Sequence, residues 1–139
     1  MMKLEELPAL EISGKTVADW NLEWQRVVGG FGTPQPQLNH KVGLFRAVRN
    51  GEVMALGSGT GAKGGLSKRI ADFRRKSLSA SDHTLGRSIR AMINEVELEV
   101  LITGWGNEER ETALSLKPPM IELHQPAWNV PNAPFQRKI

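Results

Sequence analysis

The stretch "VGLFRAVRNGEVMALGSG", residues 42–59, constrains the fold of this chain more than any other. Two runs rich in apolar residues flank Asn50-Gly51, the dipeptide favoured by a type I′ turn because both central residues need positive φ. The pattern predicts a β-hairpin. "EVELEVLIT", 95–103, supplies a further strand, since Glu alternates there with Val, Leu and Val as on a half-buried sheet surface. "GGLSKRIADFRRKS", 64–77, reads as a helix with Leu66, Ile70 and Phe73 on one face.

Three further segments read as helical. "TVADWNLEWQRVV", 16–28, starts with Thr16 as N-cap and Asp19 three residues on. Val17, Trp20, Trp24 and Val27 then form a stripe at helical spacing. "TLGRSIRAMINEV", 84–96, is a second candidate, weakened by Gly86. The last helix begins near Asn107 and runs through "EERETALSL" to Pro118 and Pro119, where an interior proline costs about 3 kcal/mol and usually ends or kinks a helix. "GGFGTPQPQ", 29–37, is a connector. The expected fold is therefore α+β: a small, three-stranded, mainly antiparallel sheet flanked by helices. Residues 1–38 are expected to form an N-terminal helix and connector, and residues 39–139 the sheet domain.

The absence of cysteine excludes disulfides, thiolate metal sites and cysteine nucleophiles. No apolar run approaches the roughly 18 residues of a membrane span, so a soluble, cytoplasmic protein without a membrane partner is expected. The net charge of +3 hides a strong asymmetry. Residues 41–90 carry eleven Lys and Arg against three Asp and Glu, a balance of +8, whereas the flanks 1–40 and 91–139 carry −2 and −3. Such a block concentrates positive potential and attracts a polyanion by counterion release. Nucleic acid is the expected partner, contacted by Lys63, Lys68, Arg69, Arg74 and Arg75. The bland alternative is that these cations only solvate a helix face or complement its dipole.

Other chemistries find little support. His40, His83 and His124 lack metal-ligand spacing. The glycine-rich "GSGTGAKGG", 57–65, suggests a phosphate cradle, but Lys63 is followed by Gly64 and not by Ser or Thr, so it reads as a loop beside a basic helix.

A glycine-bracketed hairpin, a basic helix and a Pro-Ala-Trp-Asn ending occur in that order. Together they resemble the GIY-YIG nuclease superfamily over roughly residues 42–130. Gly43-Leu44-Phe45 matches the first motif, Ala55-Leu56-Gly57 the second, Arg69 the helix arginine, and "IELHQPAWN" the C-terminal signature, with Pro126, Trp128 and Asn129 in place. The resemblance implies DNA phosphodiester hydrolysis, with a tyrosine assisting the general base, an arginine on the phosphate, a glutamate on a divalent metal and an architectural asparagine. This chain departs from that pattern where the chemistry lies. Phe45 and Ala55 stand at the tyrosine positions, the chain has no tyrosine, and Lys117 stands where the glutamate is expected. Glu111 and Glu122 are six and five residues from Lys117 and point elsewhere on an unbroken helix at about 100° per residue. His40 is a substitute candidate for the base.

The expected function is a DNA-binding module with an inactive nuclease centre, no confident catalytic residue, no metal and no cofactor, in which Lys117 joins Arg69 as an anion ligand. One alternative is an atypical endonuclease that uses Mg²⁺. Another is a scaffold that binds a protein partner through Trp20 and Trp24.

Overall fold

The computed structural model describes residues 4–75 and 84–129; Lys76 and His83 lie outside that range. The hairpin forms as expected. Strand β4 (Val42–Arg49) pairs antiparallel with β5 (Glu52–Gly59), and the turn residues Asn50 and Gly51 take φ of 53° and 81°. Strand β6 (Glu97–Gly104) lies antiparallel on the other side of β4.

The sheet has four strands and not three. Strand β3 (Gln25–Val27) pairs antiparallel with β6, giving the order β3-β6-β4-β5. This overturns the helix expected over 16–28. Its first turn survives as α1 (Val17–Trp20), with Thr16 Oγ1 accepting from the Asp19 amide as expected of the cap. After Asn21 the chain instead satisfies its backbone on the edge of β6, Gln25 opposite Val100 and Val27 opposite Leu98. Val27 is buried while Gln25 and Arg26 are exposed, so a local helical pattern yields to a distant strand that offers hydrogen bonds and a core. Residues from before position 39 thus complete the main sheet. A second, two-stranded antiparallel sheet joins β1 (Glu11–Ile12) and β2 (Lys15–Thr16).

Period-two alternation puts different residues on the two faces of the main sheet. One face presents Phe45, Ala47, Ala55, Leu98 and Val100, which pack with Leu66 and Ile70 of α2 (Gly65–Asp72), with Phe73 at its C-cap, and with Ile89 of α3 (Thr84–Ala91). The other presents Leu44, Leu56 and Leu101, which pack with Val17, Trp20 and the Leu116 and Met120 side chains of α4 (Asn107–His124). The result is a three-layer arrangement with β5 at an edge between α2 and α4.

Helix α4 runs straight past the position where a stop is expected, with Pro118 and Pro119 inside it. The carbonyls that lose their helical donors belong to Leu114 and Ser115, both exposed and open to water. Burial of Leu116, Pro119 and Met120 offsets the remaining cost. Among the described residues, no helix is long and apolar enough to cross a membrane.

Candidate nucleic-acid interface

The edge of β5 organises the site. Asn129, in a short 3-10 turn (Ala127–Asn129), behaves as one residue of a missing strand. Its Oδ1 accepts from the Leu56 amide and its Nδ2 donates to the Leu56 carbonyl, both at 2.8 Å. Two residues on, Ser58 turns its backbone to the same side, and its side chain is half-buried. Helix α2 lies close to this edge because Gly59 has no Cβ: an added one would sit 2.7 Å from the Cα of Leu66. From the other layer, α4 is tied to the end of β5 by Arg110, whose Nε donates to the Thr60 carbonyl at 2.7 Å. Lys117 is seven residues after Arg110, two helical turns along the same face of α4.

Arg69 and Lys117 stand on α2 and α4, the two helices that pack against β5 from opposite layers. Both are half-buried. Burial pushes the Lys117 ammonium below the ordinary lysine range, and the neighbouring Arg69 charge pushes it the same way. Burial also lowers Arg69, against the opposing pull of Asp72. The Arg69 guanidinium lies 4.8 Å over the Phe73 ring and 3.9 Å from an Asp72 oxygen, a loose pairing that leaves donors to spare. Two partly desolvated cations that repel each other are chemically suited to an anion. They do not fit a divalent metal, because Mg²⁺ needs oxygen ligands and these two side chains offer only positive charge and N–H donors. With α4 unbroken, Glu111 and Glu122 are rotated away from Lys117, and both are exposed.

The positions that match the nuclease tyrosines are core. Phe45 and Ala55 are fully buried, and the Phe45 ring sits edge-on to Phe31 and Phe73 at 6.1 and 5.3 Å between centroids. Gly57 opposite leaves room for that ring, since a Cβ there would meet it at 2.6 Å. His40 is exposed and packs edge-on against Trp105 at 5.1 Å.

The +8 block is not one continuous patch. Arg46 and Arg49 reach from β4 to Glu99 of β6 and to Glu95 just before it, at 2.6 and 3.3 Å. Arg74 is committed through Nη1 to the Thr33 and Phe31 carbonyls at 2.9 and 3.4 Å, so it anchors the connector. Lys68 and Arg75 are exposed and share Asp72, at 3.1 and 2.7 Å. Lys63 is exposed in the loop before α2. That loop makes no anion cradle from its last amides, because Gly65 N donates to Gly61 O and Leu66 N to Lys41 O.

Sequence reasoning missed one polar cluster. His124 Nε2 lies 2.8 Å from Asn21 Oδ1 and 3.3 Å from Arg46 Nη1, while Arg46 stacks on Trp24 at 4.3 Å and binds Glu99. Burial first, then the Arg46 charge, holds His124 below the ordinary histidine range, with Glu99 opposing. Its members are 103 and 78 residues apart in sequence, so no local signal could have joined them. Trp20, which the scaffold alternative would place on a partner-binding face, is buried and donates through Nε1 to the Ile12 carbonyl. A cleft of about 480 Å³ between the N-terminal segment and the start of α4 is lined by Glu108, Glu109 and Glu111, and these carboxylates repel a polyanion. Among the described residues, no group of three His, Asp or Glu side chains is placed to hold a metal ion.

No family model, no curated protein and no solved structure matches the chain.

Proposed function

We propose that this protein is a DNA-binding module, related to the GIY-YIG nucleases, that grips a backbone phosphate without cutting it. The placement of Arg69 and Lys117, two half-buried cations, on the helices that pack against β5 carries this reading, and the Arg69 charge acts on Lys117. A guanidinium and an ammonium in a partly dry site supply fork-like and point-charge contacts to a phosphate. Lys63, Lys68 and Arg75 extend the positive field along α2 and make exposed, sequence-independent contacts. Cleavage needs a base and a means of stabilising the leaving oxygen. Phe45 and Ala55 provide no base, and Lys117 repels the metal that would serve the second purpose.

The test is affinity for a short DNA duplex across a salt series with Mg²⁺ present, followed by inspection of the DNA. Binding is expected to weaken steeply with salt while the DNA stays intact. Combining Arg69→Ala with Lys117→Met is expected to lower affinity about ten-fold or more and to shallow the salt slope by about 1–2. Nicked DNA from wild-type protein, lost on Arg69→Ala, would establish the endonuclease in its place. No change in the double variant would remove the phosphate site.

A further inference from the structure

We infer that Trp105 is a stacking platform for an unpaired nucleobase, which makes single-stranded or branched DNA the preferred ligand; this rests on the proposed phosphate site. Trp105 lies between the end of β6 and the start of α4, flanked by Gly104 and Gly106 at φ of 130° and 134°. It is 42% exposed, so a large part of an indole that could pack a core instead meets water. The ring is held in place. His40 meets it edge-on at 5.1 Å and 76°, and the ring rests on the first turn of α2, with Cζ3 3.4 Å from the point where a Cβ of Gly65 would be.

That resting place sets the ligand. Gly65 and Arg69 are four residues apart on α2, so they lie about one turn, roughly 6 Å, apart along the axis. A base on Trp105 and a phosphate on Arg69 are thus separated by a distance of nucleotide scale. The surroundings are charged and not apolar: Lys41 adjoins His40, its carbonyl accepts from Leu66 in the same turn of α2, and the Glu109 side chain lies against Gly104 and Gly106 on the other flank of the ring. An isolated aromatic one helical turn from the Arg69 cation suits a base with its phosphate, whereas a protein partner needs a contiguous apolar patch. A paired base inside a duplex hides its face, so only an unpaired one can stack.

Three labelled probes of equal length separate the contributions: a single-stranded thymidine oligonucleotide, the same backbone without bases, and a duplex. Trp105→Ala is expected to weaken thymidine binding about 5- to 100-fold while changing the abasic and duplex affinities less than about two-fold, and Trp105→Phe is expected to retain most of the binding. Equal losses on all three probes, or no loss on any, would overturn the platform. If Trp105→Ala acts as expected but the Arg69/Lys117 double variant binds normally, the platform stands and the phosphate site fails. Wild-type protein that binds none of the probes overturns both.

Discussion

Lys117 is charged in surroundings that favour the neutral amine. Burial and Arg69 both lower its pKa, so the unfolded chain holds that proton more tightly than the folded one. The cost of the charge is therefore present in full below the folded pKa and is relieved as pH rises toward the unfolded value. Lys117→Met keeps the stem and removes the charge, and is expected to stabilise the protein by about 1 kcal/mol, a rise of roughly 3–5 °C in melting temperature at neutral pH. The same variant should bind DNA less well. Inorganic polyphosphate should raise the melting temperature of wild type more than that of the variant, because ligand linkage acts only where the site exists. A lower melting temperature for Lys117→Met would show that the ammonium is a structural contact.

At the scale of elements, Asn129 decides the shape of the edge. Asn129→Ala deletes two hydrogen bonds to Leu56 and is expected to cost about 1–3 kcal/mol, with faster amide exchange at Leu56. Asn129→Asp keeps the acceptor but sets a carboxylate oxygen against the Leu56 carbonyl, so it should melt lower than the alanine variant. Thermal denaturation of both orders them. The elements also show where sequence is readable. β4 and β5 are legible because alternation and the Asn50-Gly51 turn are local. β3 is not, because its partner Val100 is far along the chain from Gln25, and the tryptophan spacing around it mimics a helix. The prolines of α4 mislead for a related reason: their local cost is visible in sequence, but the burial of Met120 and Leu116 that offsets it is not. In the site, Arg69 and Lys117 stand out through the motif pattern. The charge count cannot separate Arg74, which braces the connector, from the exposed Lys68 and Arg75, since that depends on carbonyls supplied by Phe31 and Thr33.

For the molecule as a whole, the His124 cluster binds the last turn of α4 to the N-terminal segment and to β4. Its folded pKa lies below the ordinary value, so the unfolded state takes up the proton first and stability falls as pH drops through the histidine range. The melting temperature is expected to fall between about pH 7.5 and about pH 5, with His124→Gln losing roughly 2–4 °C less over that interval. Equal slopes for the two proteins would place the acid sensitivity elsewhere.

The pairing of Asn129 with Leu56 also sets a clock. The two residues are separated by 73 positions, and a ribosome adding about 5–20 residues per second needs about 4–15 s to travel from one to the other. The hairpin can close early in that interval, yet its outer strand stays unguarded until the asparagine emerges. A nascent chain therefore carries an open β edge for several seconds, long enough to pair with a neighbouring copy, and crowding of polysomes is when this protein is most exposed to misassembly.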